Sequence, residues 1–156
     1  MRLAVRTILT ILLIAVILLN LFTHVFAVVR FYGDGMEPTL KNHQILVVLR
    51  TDEAREGDIV AFYYNNKALV RRVIAADGQQ ITINEDGSVL INNEPLEEPY
   101  IGTLSKGQCN LTFPYTVPLE QYFVMGDNRE TSMDSRLKEI GTVTRERLIG
   151  KVIFSF

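Results

Sequence analysis

The sequence predicts an all-β body, small and barrel-like or sandwich-like, carried on one N-terminal transmembrane helix. Three observations lead there. Residues 7–29, TILTILLIAVILLNLFTHVFAVV, contain no Asp, Glu, Lys or Arg. After Arg30 the chain reads as short aliphatic runs of strand length separated by Gly, Asn and Asp turn signals. The same region has no helical stretch of convincing length and no internal repeat, the pattern of a small closed or two-layered β-structure.

The apolar run comes first. At about 1.5 Å per residue, 23 helical residues span a ~30 Å hydrocarbon core with some tilt. A cleaved leader has a shorter apolar stretch ending in a small-x-small site, and no clean Ala-x-Ala follows here. An uncleaved anchor is therefore expected. Arg2 and Arg6 favour a cytoplasmic N-terminus, with Arg30 weakening the asymmetry. The expected organisation is a short cytoplasmic N-terminus (1–6), an anchor in the cell membrane (7–29) and an extracytoplasmic β domain (30–156). Asn20, Thr23 and His24 fall in the outer half of the span, where backbone hydrogen bonding is the ordinary use of such side chains.

The body follows in order. QILVVL (44–49) and DIVAFYY (58–64) read as core strands joined through REGD, and ALVRRVIAA (68–76) follows the turn NNK. QQITIN and SVLIN flank EDG, a hairpin signal, and NNEP makes the next turn. Residues 97–118 hold three of the five prolines and two glycines, as in an extended loop or sheet edge. YFVMGD and the terminal LIGKVIFSF restore the strand pattern.

Composition narrows the function. Sixteen Lys plus Arg against eighteen Asp plus Glu give a net charge of -2 with no basic block, which disfavours nucleic-acid binding. One cysteine, Cys109, forms no internal disulfide, and with His24 and His43 it makes no zinc ligand set. No metal and no cofactor are expected.

The chemistry-bearing stretches are GDGMEPTL (33–40), REGDIVAF (55–62), LVRRVIA (69–75), LINNEPLEEPYI (90–101) and MGDNRETSMDSR (125–136). Together, and in this order, they resemble the motifs of type I signal peptidases: Ser-Met-x-Pro-Thr, Gly-Asp-Ile-Val-x-Phe, Lys-Arg-Val-Ile-Gly, and Gly-Asp-Asn-Arg-x-x-Ser-x-Asp-Ser-Arg. The short span between the third and last stretches is similar to the compact Gram-positive members. In that family a serine hydroxyl attacks the scissile carbonyl and a neutral, buried lysine is the general base.

This chain departs from the pattern at both places. The resemblance puts Gly35 where the serine would be, directly before Met36, and Arg71 where the lysine would be. Glycine has no nucleophile, and a guanidinium with a pKa above about 12 takes no proton at neutral pH. Gly33 falls at the oxyanion-hole hydroxyl position. Ser132 matches the residue that positions the lysine amine, and Asp127, Arg129, Asp134 and Arg136 match the supporting frame, with Met36 and Pro38 shaping the loop. From register alone, Arg71 is expected to form a buried ion pair with Asp134 or Asp127. A cleft lined near Met36 and the ILVV run is expected to bind an extended peptide.

The resemblance implies a membrane-anchored and non-proteolytic homologue acting on signal-peptide-bearing or pilin-like precursors, beside an active paralogue or as an assembly factor. The rival reading is an active peptidase with another catalytic set. Asp34, a turn former in GDG, is one alternative nucleophile, with Asp127 as a second carboxylate; Ser132, Ser135 and Cys109 are weaker ones. A third reading is a structural subunit of a membrane complex.

Overall fold

The computed structural model describes residues 2–156. Helix α1, Arg2–Val25, is followed at once by strand β1, Phe26–Arg30. The expected anchor of residues 7–29 is therefore shorter at its end: residues 26–29 belong to the sheet, paired in register from Phe26↔Leu49 to Arg30↔Ile45 with β2, Ile45–Leu49. The aromatic and β-branched run FAVV suits a pleated strand better than a helix. The helix end is also capped, because the Arg50 N–H donates to the Val25 carbonyl at 2.9 Å and Arg50 Nε to the Thr23 carbonyl at 3.2 Å. Thr23 Oγ1 and His24 Nδ1 both bond the Asn20 carbonyl, the ordinary use expected of them. From Val5 to Val25 the helix has the length and apolarity to cross a membrane and buries none of that face on the body.

The remaining strands are β3 (Ile59–Tyr64), β4 (Lys67–Ala76), β5 (Gln80–Ile83), β6 (Val89–Ile91), β7 (Glu94–Pro95), β8 (Tyr115–Thr116), β9 (Gln121–Met125), β10 (Val143–Thr144) and β11 (Leu148–Ser155). They form a seven-stranded sheet in the order β1-β2-β11-β3-β4-β9-β10 and a four-stranded sheet in the order β7-β6-β5-β8. Beyond α1, the described residues contain one short 3-10 turn, Arg145–Arg147, so the all-β reading of the body holds. The β3–β4 hairpin closes on Asn65 and Asn66, and β6–β7 on Asn92 and Asn93, all at positive φ. That backbone is tolerated by asparagine and matches the twist of adjacent strands.

The central strands are buried on both faces, which explains why they read as continuous aliphatic runs. Ala61 and Val70 join Phe31, Met36, Leu40, Leu46 and Val48 in one cluster; Val60, Phe62 and Val73 join Tyr122, Val124 and Val143 on the opposite face. A third cluster, with Ile74, Ile81, Val89, Phe123 and Met125, fills the space between the two sheets. β1 pairs only with β2 and leaves its outer edge open.

Candidate functional site

The loop after β1 is tied down on both sides. The Gly33 N–H donates to Asn42 Oδ1, the Leu40 N–H to the Met36 carbonyl, and Gly35 offers its carbonyl to the Asn128 N–H at 3.1 Å. The last bond joins the loop to the segment of residues 126–136. Met36 is fully buried in the same core cluster as Leu46 and Val48. The expectation that Met36 and the ILVV run line the cleft is thus corrected: Met36, Leu46 and Val48 are buried packing beneath the loop, while Ile45 and Pro38 are exposed at the surface.

Gly35 and Arg71, distant in sequence, meet. A Cβ added to Gly35 would lie 3.3 Å from one terminal guanidinium nitrogen of Arg71 (Nη2), 3.4 Å from its Cζ and 3.5 Å from the Cα of Ser132. The arginine therefore crowds any side chain placed at position 35 and would have to give way by a few tenths of an ångström. Its Nε donates to the Met133 carbonyl at 3.0 Å and its Nη1 to the Val70 carbonyl at 2.6 Å. Burial pulls its pKa below the usual arginine value, opposed first by the field of Asp134; a group starting above about 12 stays cationic.

The expected ion pair of Arg71 with Asp134 or Asp127 does not form. Asp134 is bidentate to Arg136, with both contacts at 2.8 Å and both side chains fully buried, and it also accepts the Gly126 N–H. Asp127 is bidentate to Arg72 at 2.8 and 2.6 Å and accepts the Thr39 hydroxyl. Neighbours on a strand face opposite ways, so Arg72 takes the carboxylate while Arg71 turns to Gly35. Arg129 pairs with Glu98 and donates to the Gly126 carbonyl. Ser132 is buried, and its hydroxyl has no hydrogen-bond partner.

Three participants were not singled out in the sequence: Arg72, Glu98 and Tyr100. The guanidinium of Arg72 stacks 3.9 Å over the Tyr100 ring, and the Tyr100 hydroxyl donates to Glu98. Burial, then the Glu98 carboxylate, pushes the Tyr100 phenol above the usual tyrosine range. The signal was present in EEPY, but its partner lies 31 residues away.

Gly126 is the tightest point of this frame. A Cβ there would meet Ser132 Oγ at 2.1 Å and the Gly35 carbonyl oxygen at 2.2 Å. Gly126→Ala is expected to force the two segments apart at a cost of about 1–3 kcal/mol, read as a lower thermal midpoint. An unchanged midpoint would show that the contact yields freely.

Arg71, Gly33, Asp34 and Gly35 line a cleft of about 360 Å³ together with Tyr64 and Met133. It shares Tyr32, Lys67 and Leu69 with a larger apolar groove of about 1020 Å³ that runs back along β1 to Phe22 and Thr23 at the end of α1. The two adjoin along this shared wall, one reaching the end of α1 and the other the guanidinium, and together they are called the trough. Asp34 lies on its exposed rim, whereas Ser135 is spent on the Val124 N–H and the Gly141 carbonyl.

The chain belongs to the signal peptidase, peptidase S26 family, whose model matches residues 4–156. It is 36% identical to signal peptidase I S of Bacillus subtilis, over 92% of this chain and 84% of that protein. Signal peptidase IB of Staphylococcus aureus is 31% identical over 80% of this chain and 74% of its own length. A crystal structure of a signal peptidase I from Enterococcus faecalis superposes with a TM-score of 0.54 at 29% identity, covering 65% of this chain and 97% of that one.

Proposed function

We propose that this chain is a membrane-anchored, non-proteolytic member of its family that holds an extended segment of an exported precursor in the trough beside β1. The observation that carries this reading is the meeting of Gly35 with the Arg71 guanidinium: at the two places the family uses for nucleophile and base there is no hydroxyl, and the base position is a permanent cation. Binding needs the trough and the open edge of β1, which can accept a strand by backbone hydrogen bonding. The N-terminus is cytoplasmic and the body extracytoplasmic on this reading, where precursors with signal peptides emerge. Pilin-like precursors are one such client class, and an active paralogue would supply the cleavage.

The names of the relatives favour a second reading, an active signal peptidase with another catalytic set. A carboxylate pair built on Asp34 lacks a free second member, because Asp127 and Asp134 are each held bidentate by an arginine. The two readings separate in one assay. With the full chain in liposomes and a secretory precursor added, the precursor is expected to be recovered intact in a complex with the chain. Release of mature product would reject the non-proteolytic reading.

A further inference from the structure

The buried ionic network around the trough does not balance. Arg72, Arg129 and Arg136 are each matched by one carboxylate, Asp127, Glu98 and Asp134. Arg71, also buried, has hydrogen bonds only to the carbonyls of Val70 and Met133, and among the described residues no carboxylate forms an ion pair with it. Asp134, Asp34 and Asp127 act on it through their fields without forming an ion pair, and a buried cation left without a direct partner is costly. Its third nitrogen, Nη2, takes no part in either of those bonds, and the side chain lines the cleft at the head of the trough. The Ser132 hydroxyl, buried and unpartnered, lies against Gly126, and the Ser132 backbone lies next to Gly35.

We propose that Arg71 is a carboxylate receptor, and that the trough takes peptides whose C-terminal α-carboxylate ends at the guanidinium. This rests on the peptide-holding reading above and goes beyond it, because it assigns the site a chemical preference. A chain passing through the cleft would present a neutral amide to Arg71. One that stops there presents an anion that can accept a charge-assisted hydrogen bond from Nη2. The apolar lining by Phe26, Val28, Tyr32 and Leu69 fits the side chains of an apolar peptide leading to that terminus. The favoured ligand is thus an already cleaved apolar segment, the product of a peptidase rather than its substrate.

The test uses the full chain in detergent micelles and fluorescein-labelled apolar octapeptides in three forms: C-terminal acid, C-terminal amide, and amide with a penultimate glutamate. Fluorescence anisotropy is expected to show the acid binding about tenfold or more tightly than the amide, the scale of a hydrogen bond to a charged group, with the glutamate form near the amide. In Arg71→Gln the acid is expected to fall to the level of the amide. Equal binding of acid and amide to the unaltered chain would overturn the receptor and leave the groove reading standing. Preference for the glutamate form would overturn the terminal assignment, and binding of none of the three would overturn receptor and groove together.

Discussion

Gly35→Ser combined with Arg71→Lys is expected to turn the chain into a protease that cleaves a secretory precursor, while either change alone is not. The Cβ of a serine at position 35 would lie 3.3 Å from the Arg71 guanidinium, so the single serine is crowded by a cation that cannot remove its proton. The single lysine supplies a base with nothing to activate. Together they remove the crowding, and the new amine enters a buried site beside the unpartnered Ser132 hydroxyl. The burial that depresses Arg71 would depress a lysine too, toward the neutral form that a general base requires. Catalytic groups acting as a unit are strongly non-additive, so the gain in the double variant is expected to be at least on the order of 10³ over either single one. Gel-resolved cleavage in liposomes measures it. No gain in a folded double variant would mean that the loop and frame no longer support the chemistry.

Arg136→Ala is expected to cause the largest loss of stability. Its guanidinium is fully buried, bidentate to Asp134, and also donates to the carbonyls of Lys106, Arg129 and Ser132. Truncation leaves the Asp134 charge buried without its partner, at a cost of ~3–5 kcal/mol. For a body of this size that lowers the thermal midpoint by roughly 10 °C or more. The surface pair of half-buried Lys106 and exposed Glu85 serves as control, and Glu85→Ala is expected to leave the midpoint where it is. A small shift for Arg136→Ala would show that the site relaxes or admits water.

The strands were legible because the central sheet buries both faces, leaving DIVAF and LVRRVIA as nearly unbroken apolar text around two arginines. The turns were legible through paired asparagines. The end of the helix was not, since FAVV is as apolar as the helix before it and only the pairing with β2 makes it a strand. In the site, Gly35, Arg71 and Ser132 were found from motif register, and the structure brings all three together. The ion pairs were misassigned because alternation along β4 decides which arginine faces which carboxylate. Sequence spacing also carries no trace of a partner 55 residues away. Charge balance around Arg71 became visible only when every neighbouring pair was placed.

The direct passage from α1 into β1 has a consequence for reach. A body on a loose tether would sample many heights above a bilayer. Here the last helical residue is followed by five residues of paired strand, about 17 Å at ~3.3 Å per residue, with Arg50 fastened to the helix end. On the membrane-anchored, peptide-holding reading proposed above, the trough would stand at a fixed height over the membrane. It would select clients by how far their apolar segment stops above the surface, in addition to the chemistry at its tip.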